Sequence, residues 1–169
     1  MRPCVAMDFT IRAFTGADAD EVASWRYPAP YDVYDLTEDP SLDSEIRDPA
    51  RWGATWFAAD DAEPGTLAGF LELVASESET EGATRVEVEV GLGLRPDLIG
   101  QGIGASFVDA ALAFSRERWR PSTFALDVFP WNERAIRCYE RAGFVRGEEY
   151  VRTFPDGNEV TFLRMARSA

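Results

Sequence analysis

The chain has 169 residues, 46% of them hydrophobic, with 30 acidic and 17 basic side chains and a formal net charge of −13. That length is enough for one domain with its own core, without a disulfide or metal staple. Histidine is absent and all 17 basic side chains are arginine, which excludes Ser-His-Asp and Cys-His sites, lysine Schiff bases, the lysine-dependent P-loop and histidine-built zinc centres.

In chain order, residues 1–7 ("MRPCVAM") read as an N-terminal extension, with neither the apolar stretch nor the cleavage site of a secretory signal. "FTIRAF" alternates as a short strand, and "GADADEVASW" opens with cap-like Asp and Ala residues and reads as a helix to about Arg26. "RYPAPYDVYDLTEDP" holds three prolines and three tyrosines, so a loop or broken helix is expected. A second helix covers Leu42 to Arg47. "ATWFAAD" and "TLAGFLELVAS" read as strands separated by the turn-rich "DAEPG". "TRVEVEVGLGL" alternates strictly: Val86, Val88, Val90, Leu92 and Leu94 share one face, and Glu87, Glu89, Gly91 and Gly93 share the other.

Beyond a glycine-rich loop, Ile103, Phe107, Ala111 and Phe114 recur at helical spacing, so a helix runs to about Trp119. "STFALDVF" is a strand, "NERAIRCYERAGF" a helix started by Asn132 and ended at Gly143, and "GEEYVRTF" with "EVTFLRMA" a hairpin across "PDGN". The order β-α-α-β-β-β-α-β-α-β-β predicts an α/β fold in residues 1–169: antiparallel strands first, then one helical crossover, in a mixed sheet.

The charge is uneven. Residues 1–90 hold 20 acidic and 6 basic side chains, whereas residues 91–169 hold 10 and 11. No basic stripe is available to displace counterions, so nucleic acid is not an expected partner. No apolar run reaches the length of a membrane-spanning helix, so no membrane is expected either. Cys4 and Cys138 form neither a metal-ligand spacing nor a disulfide framework; a reducing cytoplasm and a site without metal follow as expectations. Proton chemistry falls to Asp, Glu, Tyr, Cys or water.

"GLGLRPDLIGQGIGA", from Gly91 to Ala105, has three readings. Gly100, Gly102 and Ala105 satisfy the dinucleotide fingerprint G-x-G-x-x-A, with Asp127 roughly 20 residues on as its ribose ligand. A Rossmann domain would place this turn first and follow it with more βαβ units, and its strand would not alternate acid with valine. The second reading is purely structural, with glycines for tight turns.

The third reading joins the loop to the later helix. "EVGLGLRP", "IGQGIGA" and the stretch from Asn132 to Phe144 ("NERAIRCYERAGF") together resemble the GNAT superfamily of acyl-CoA N-acyltransferases, in motif spacing and in element order across nearly the whole chain. Ile99 departs from the pattern, where the family usually carries Arg or Gln. Independently of the family, a helix N-terminus with Cβ-free neighbours favours a pyrophosphate, and Arg95, Arg134 and Arg137 are candidates for outer phosphate contacts.

The resemblance implies acetyl-CoA as acyl donor. Its amide arm would bond to Leu92, Gly93 and Leu94 and its pyrophosphate would sit on Gly100, Gln101, Gly102, Ile103, Gly104 and Ala105, with Asn132 as a further contact or a helix cap. It also implies Tyr139 as the acid that protonates the departing thiolate. Glu89 is the expected base, directly or through a water, with Glu87 as the alternative on the same strand face; cross-strand ion pairing is the competing role for both. Trp25, Tyr27, Tyr31 and Tyr34, in the acidic half, are the expected acceptor contacts for a cationic small-molecule or peptide amine; packing against the core is their competing role. Cys138 reads as a small buried hydrophobe rather than a nucleophile. Dimers are common in the resembling family. A non-catalytic acyl-CoA-binding module is the rival to an enzyme.

Overall fold

A computed structural model describes residues 7–36, 40–61, 65–80 and 82–169; of the expected extension 1–7, all but Met7 lies outside them, as does Cys4. The chain divides into two compact units, Met1–Leu73 with Leu92–Ala110, and Val74–Gly91 with Ala111–Ala169. Seven strands hydrogen-bond in the order β1-β2-β3-β4-β5-β7-β6, and the sequence of strands and α-helices is the expected one.

In the first unit, β1 (Thr10–Ala13), β2 (Trp56–Asp60) and the start of β3 (Leu67–Thr80) pair antiparallel. Helix α1 (Gly16–Ser24) is capped from outside the stretch whose Asp and Ala residues look cap-like, and it ends two residues short of Arg26. Thr15 is the cap, and Asp18 completes a capping box by accepting from the Thr15 backbone N–H at 2.8 Å. Two helical turns, at Tyr31–Tyr34 and Pro49–Arg51, flank α2 (Pro40–Ile46). The core collects Phe14, Ala19, Val22, Trp25, Leu36, Ile46, Trp56 and Leu67. Phe70 packs against this core, with its ring 6.1 Å from Trp25 and 5.5 Å from Trp56 between centroids.

In the second unit, β5 (Thr123–Val128) pairs parallel with β4 (Ala83–Leu94) and antiparallel with β7 (Glu159–Ser168), which pairs in turn with β6 (Val145–Thr153). Val88, Phe124, Leu126 and Met165 on the strands, and Ile136 on the helix that follows β5, are fully buried. Helix α3 (Gly104–Trp119) is the crossover to β5. Helix α4 (Glu133–Arg141) starts at Asn132, whose Oδ1 accepts from the Ala135 N–H at 3.1 Å, and the Arg167 guanidinium caps its far end by donating to the Ala142 carbonyl.

One ion cluster ties the first unit together. The Arg12 guanidinium donates to both oxygens of Asp18, at 2.7 and 2.8 Å, and to both oxygens of Asp60, at 2.7 and 3.0 Å. Both carboxylates are buried. Burial alone would raise the Asp18 carboxyl, but hydrogen bonds from Arg12 and Thr15 outweigh it and hold the group below its ordinary range. Because the folded value is depressed, this stabilisation is present above the unfolded carboxyl pKa of about 4 and is lost as pH falls through the lower, folded value. In urea titrations Arg12→Ala is expected to cost about 2 kcal/mol at pH 7, between the exposed and buried limits for an ion pair. That difference should shrink towards zero as the pH is taken well below 4.

Gly93 is set by close approach. A Cβ there would stand 2.4 Å from Cε1 of Phe70, and a Cβ on Gly69 would stand 2.6 Å from Phe107 and 2.8 Å from the Gly93 carbonyl oxygen. Phe70 cannot swing away without leaving Trp25 and Trp56. Gly93→Ala is therefore expected to destabilise the chain by about 1–3 kcal/mol through overpacking, measured as a lower denaturation midpoint at unchanged m-value. An unchanged midpoint would show that Phe70 has room to move.

Candidate active site

Strand β4 outruns its parallel partner. The ladder to β5 consists of Glu87↔Thr123, Val88↔Phe124 and Glu89↔Ala125, while β4 continues to Leu94 and β5 to Val128. Past Glu89, no pairing to β5 occurs among the described residues. The backbone N–H and C=O groups on that side of β4 can therefore serve an extended, amide-bearing ligand as an added strand would. Leu92, Gly93 and Leu94, the residues expected to hold such a ligand, are all half-buried. The far end of this edge is clamped: the Leu94 carbonyl accepts from the Tyr27 hydroxyl at 2.9 Å, the Arg95 N–H donates to Ala68 at 2.8 Å, and the Arg95 guanidinium donates to the Leu67 carbonyl at 2.7 Å.

The turn that follows is shaped for an anion. Gly100 and Gly102 have φ of +81° and +83°, the left-handed region that glycine enters without a Cβ penalty, and nothing stands within 4 Å of where a Gly100 Cβ would lie. Ile103 is buried in a small cluster with Ala68 and Leu98, with Leu94 against it, and its carbonyl accepts from the Phe107 N–H at 3.1 Å. Helix α3 therefore starts immediately after Ile103. Its first turn, at Gly104 and Ala105, presents N–H groups and the positive end of the helix dipole beside the glycine turn. The Gln101 side chain turns back to the Asp97 carbonyl at 2.8 Å, leaving backbone rather than side chain to line the loop. These features fit a pyrophosphate followed by an amide-containing arm. Arg95 is held by Asp97 at 2.7 Å.

Within the second unit, Glu87 and Glu89 share one arginine. Arg164 lies 3.0 Å from Glu87, 3.5 Å from Glu89 and 3.3 Å from Asp127. Burial works against the Arg164 charge, and Asp127, Glu89 and Glu87 outweigh it, so the guanidinium is held above its ordinary value. Both glutamate side chains are nearly half exposed, whereas that of Asp127 is 9% exposed. The Tyr150 hydroxyl donates to Asp127 Oδ2 at 2.6 Å. In the sequence Asp127 stands out only as a dinucleotide ligand; its place beside Arg164 follows from the β5–β7 register, in which the two are direct partners.

The remaining expected residues divide between surface and core. Tyr139, on α4, is half-buried and meets Phe144 edge-on with centroids 6.1 Å apart. Asn132 is buried and caps α4. Trp25 is 6% exposed and packs against Phe70 with the rings tilted. Tyr27 is held by Leu94 and by its own N–H to Asp35 at 2.9 Å, and burial raises its hydroxyl well above the ordinary tyrosine value. Tyr31 and Tyr34 lie on the surface turn, half-buried and exposed respectively. Among the described residues no group of His, Cys, Asp and Glu is arranged to hold a metal ion, and no helix is long and apolar enough to cross a membrane.

Comparison with known proteins gives this geometry its family. The chain is 42% identical over 104 residues to a mycothiol acetyltransferase of Propionibacterium freudenreichii, a match covering 56% of the chain and 30% of that relative. The chain spans at most about half the length of the curated relatives it matches. Its fold superposes on a chimeric spermidine N-acetyltransferase from Vibrio cholerae with a TM-score of 0.71, 21% identity and 95% coverage of both chains. It also superposes on AAC(6')-Ib in complex with ribostamycin and coenzyme A, with a TM-score of 0.68, 22% identity and coverage of 95% and 93%. The sequence profile of the acetyltransferase (GNAT) family matches residues 18–144, and the chain belongs to that family.

Proposed function

We propose that the 169 residues act as one N-acetyltransferase domain, moving an acetyl group from acetyl-CoA to an amine in the cytoplasm by direct attack of the amine on the thioester. The observation that carries this reading is the unpaired β4 edge from Val90 to Leu94, leading into the Gly100–Gly102 turn and the start of α3. A single extended ligand with amides at one end and a pyrophosphate at the other matches that succession. Acetyl-CoA supplies an activated acetyl thioester.

In this reading Leu92, Gly93 and Leu94 bind the amide arm, and a backbone N–H of the same segment polarises the reacting carbonyl. Backbone N–H groups of residues 100–105 hold the pyrophosphate. A carboxylate of the Glu87, Glu89 and Asp127 group takes the proton that the amine must lose before it attacks. The new C–N bond forms as the C–S bond breaks; Tyr139 gives its proton to the departing sulfur and is restored by the second proton that the acylated nitrogen sheds. The relatives named for spermidine and mycothiol acetylation, and the aminoglycoside held by AAC(6')-Ib, support a small cationic amine as acceptor.

Isothermal titration with acetyl-CoA, followed by thiol release against a panel of amines and the mass of the product, tests the reading. Tight binding with no thiol release from any amine would leave an acyl-CoA-binding module instead. Tyr139→Phe is expected to lower kcat by about 100-fold while acetyl-CoA affinity stays within about twofold; unchanged turnover removes Tyr139 as the acid. Gly102→Val places a β-branched residue at positive φ, a strain of about 1–3 kcal/mol, and should weaken acetyl-CoA binding by about tenfold or more in the same titration.

A further inference from the structure

Along β4 the backbone groups divide between two sides. The Arg95 N–H donates to the Ala68 carbonyl of β3 at 2.8 Å, and a Cβ on Gly69 of β3 would stand 2.8 Å from the Gly93 carbonyl oxygen. Arg95 and Gly93 therefore turn their backbone groups toward β3. On the opposite side, the Val86 carbonyl accepts from the Ser122 N–H, just before β5, at 2.8 Å, and the Leu94 carbonyl accepts from the Tyr27 hydroxyl at 2.9 Å. Backbone groups alternate sides along a strand, so Leu92 and Leu94 carry the N–H and C=O groups that face the open edge. Gly93 serves through its missing side chain, which leaves room for Phe70.

Tyr27 is fixed at this edge from both ends. Its N–H donates to Oδ1 of the buried Asp35 at 2.9 Å, and its hydroxyl donates to Leu94. Burial, and after it the Asp35 charge, raises the hydroxyl well above the ordinary tyrosine value, so the group keeps its proton and stays a donor. A phenolic oxygen that donates its hydrogen still has lone pairs to accept with, and among the described residues no donor reaches this one.

The spacing of the ligand decides what that oxygen can do. In the arm of acetyl-CoA two amides are separated by a β-alanine unit, one methylene longer than an α-residue. Fully extended, the four bonds between them set the amides about 5 Å apart. Outward-facing groups two residues apart on a strand repeat at about 6.6 Å. Both amides therefore cannot sit in register on Leu92 and Leu94 together. The glycine turn follows Leu94, so the pyrophosphate-side amide is the one at that end. With the sulfur-side amide on Leu92, it needs an acceptor standing off the strand, and the Tyr27 oxygen is one hydrogen bond beyond the Leu94 carbonyl.

We propose that Tyr27 belongs to the acyl-donor site: its oxygen accepts the N–H of the pyrophosphate-side amide while its hydroxyl stays on the Leu94 carbonyl, and this relay sets how far the arm runs along β4. This role rests on the acetyltransferase reading and deepens it. With the register set, the thioester carbonyl stops at one place on the edge; a displacement of about 1 Å costs on the order of 100-fold in rate. No bond is made or broken at Tyr27, which binds and positions.

The test compares the wild type with Tyr27→Phe in the full chain, using acetyl-CoA and ADP, which carries a pyrophosphate and no arm. The phenylalanine keeps the ring and loses the relay. By calorimetric titration it should weaken acetyl-CoA about fivefold to tenfold and leave ADP within twofold, at an unchanged melting transition. At saturating acetyl-CoA, kcat should fall about tenfold or more through the lost register. An equal loss for both ligands marks a structural role and overturns the contact, as does undiminished acetyl-CoA affinity. The second measurement needs the wild type alone. Acetyl-CoA should move the amide chemical shifts of Tyr27, Leu92 and Leu94, and ADP only those of the glycine turn and the start of α3; a Tyr27 amide unmoved by acetyl-CoA overturns the contact. Failure of acetyl-CoA to bind the wild type at all would defeat the acetyltransferase reading itself, whereas binding without these Tyr27 effects defeats the role of Tyr27 alone.

Discussion

The rest of the site depends on two parallel strands ceasing to pair. Hydrogen bonding between β4 and β5 stops after Glu89 and Ala125, although both strands continue. Backbone groups that lose a ladder partner need another one, and an extended ligand with amides of its own is a geometrically natural substitute. β4 keeps β3 on its other side, so the edge facing β5 is the one left open. Tyr27, reaching 67 positions along the chain to the Leu94 carbonyl, and Arg95, tied to Leu67, hold the end of the edge where it turns toward the glycine loop.

Electrostatics then sorts the surfaces locally rather than globally. A chain with net charge −13 would repel a polyphosphate at long range, but screening confines that repulsion to about a Debye length. At contact distance the phosphate-facing loop offers N–H dipoles, whose field is set by backbone and not by the charge sum. Within the second unit Arg164 stands within 3.5 Å of Glu87, Glu89 and Asp127, and Arg152 stands 3.6 Å from Asp127, so these three carboxylates lie close together with guanidiniums among them.

Legibility in the sequence followed the range of the interaction. The alternation of Arg85–Leu94 and the Asn132 start of α4 are local and readable; the mixed sheet and the chain order of strands and α-helices are as expected, whereas the spatial order of the strands comes from the fold. The cap of α1 fell on Thr15 because Asp18, which looks like a cap in isolation, is claimed by Arg12 and by the Thr15 backbone. Trp25 and Tyr27 illustrate the limit. Clustered aromatics in a Pro-rich segment look like a ligand surface, but only the fold reveals that Phe70 and Leu94 take them. Asp127 shows the same limit from the other direction, since a lone acid in a strand says nothing until β7 puts Arg164 opposite it.

The arginine-only composition has a chemical consequence for a member of this family. Every cation in the ion clusters, from Arg12 with Asp18 and Asp60 to Arg164 with Asp127, is a guanidinium, which stays protonated at neutral pH and so lacks nucleophilic character. No side chain in these 169 residues carries an amine. A reactive thioester held against this fold therefore meets no lysine of its host, and adventitious acylation of its side-chain nitrogens, the common fate of proteins exposed to activated acyl groups, has no target here.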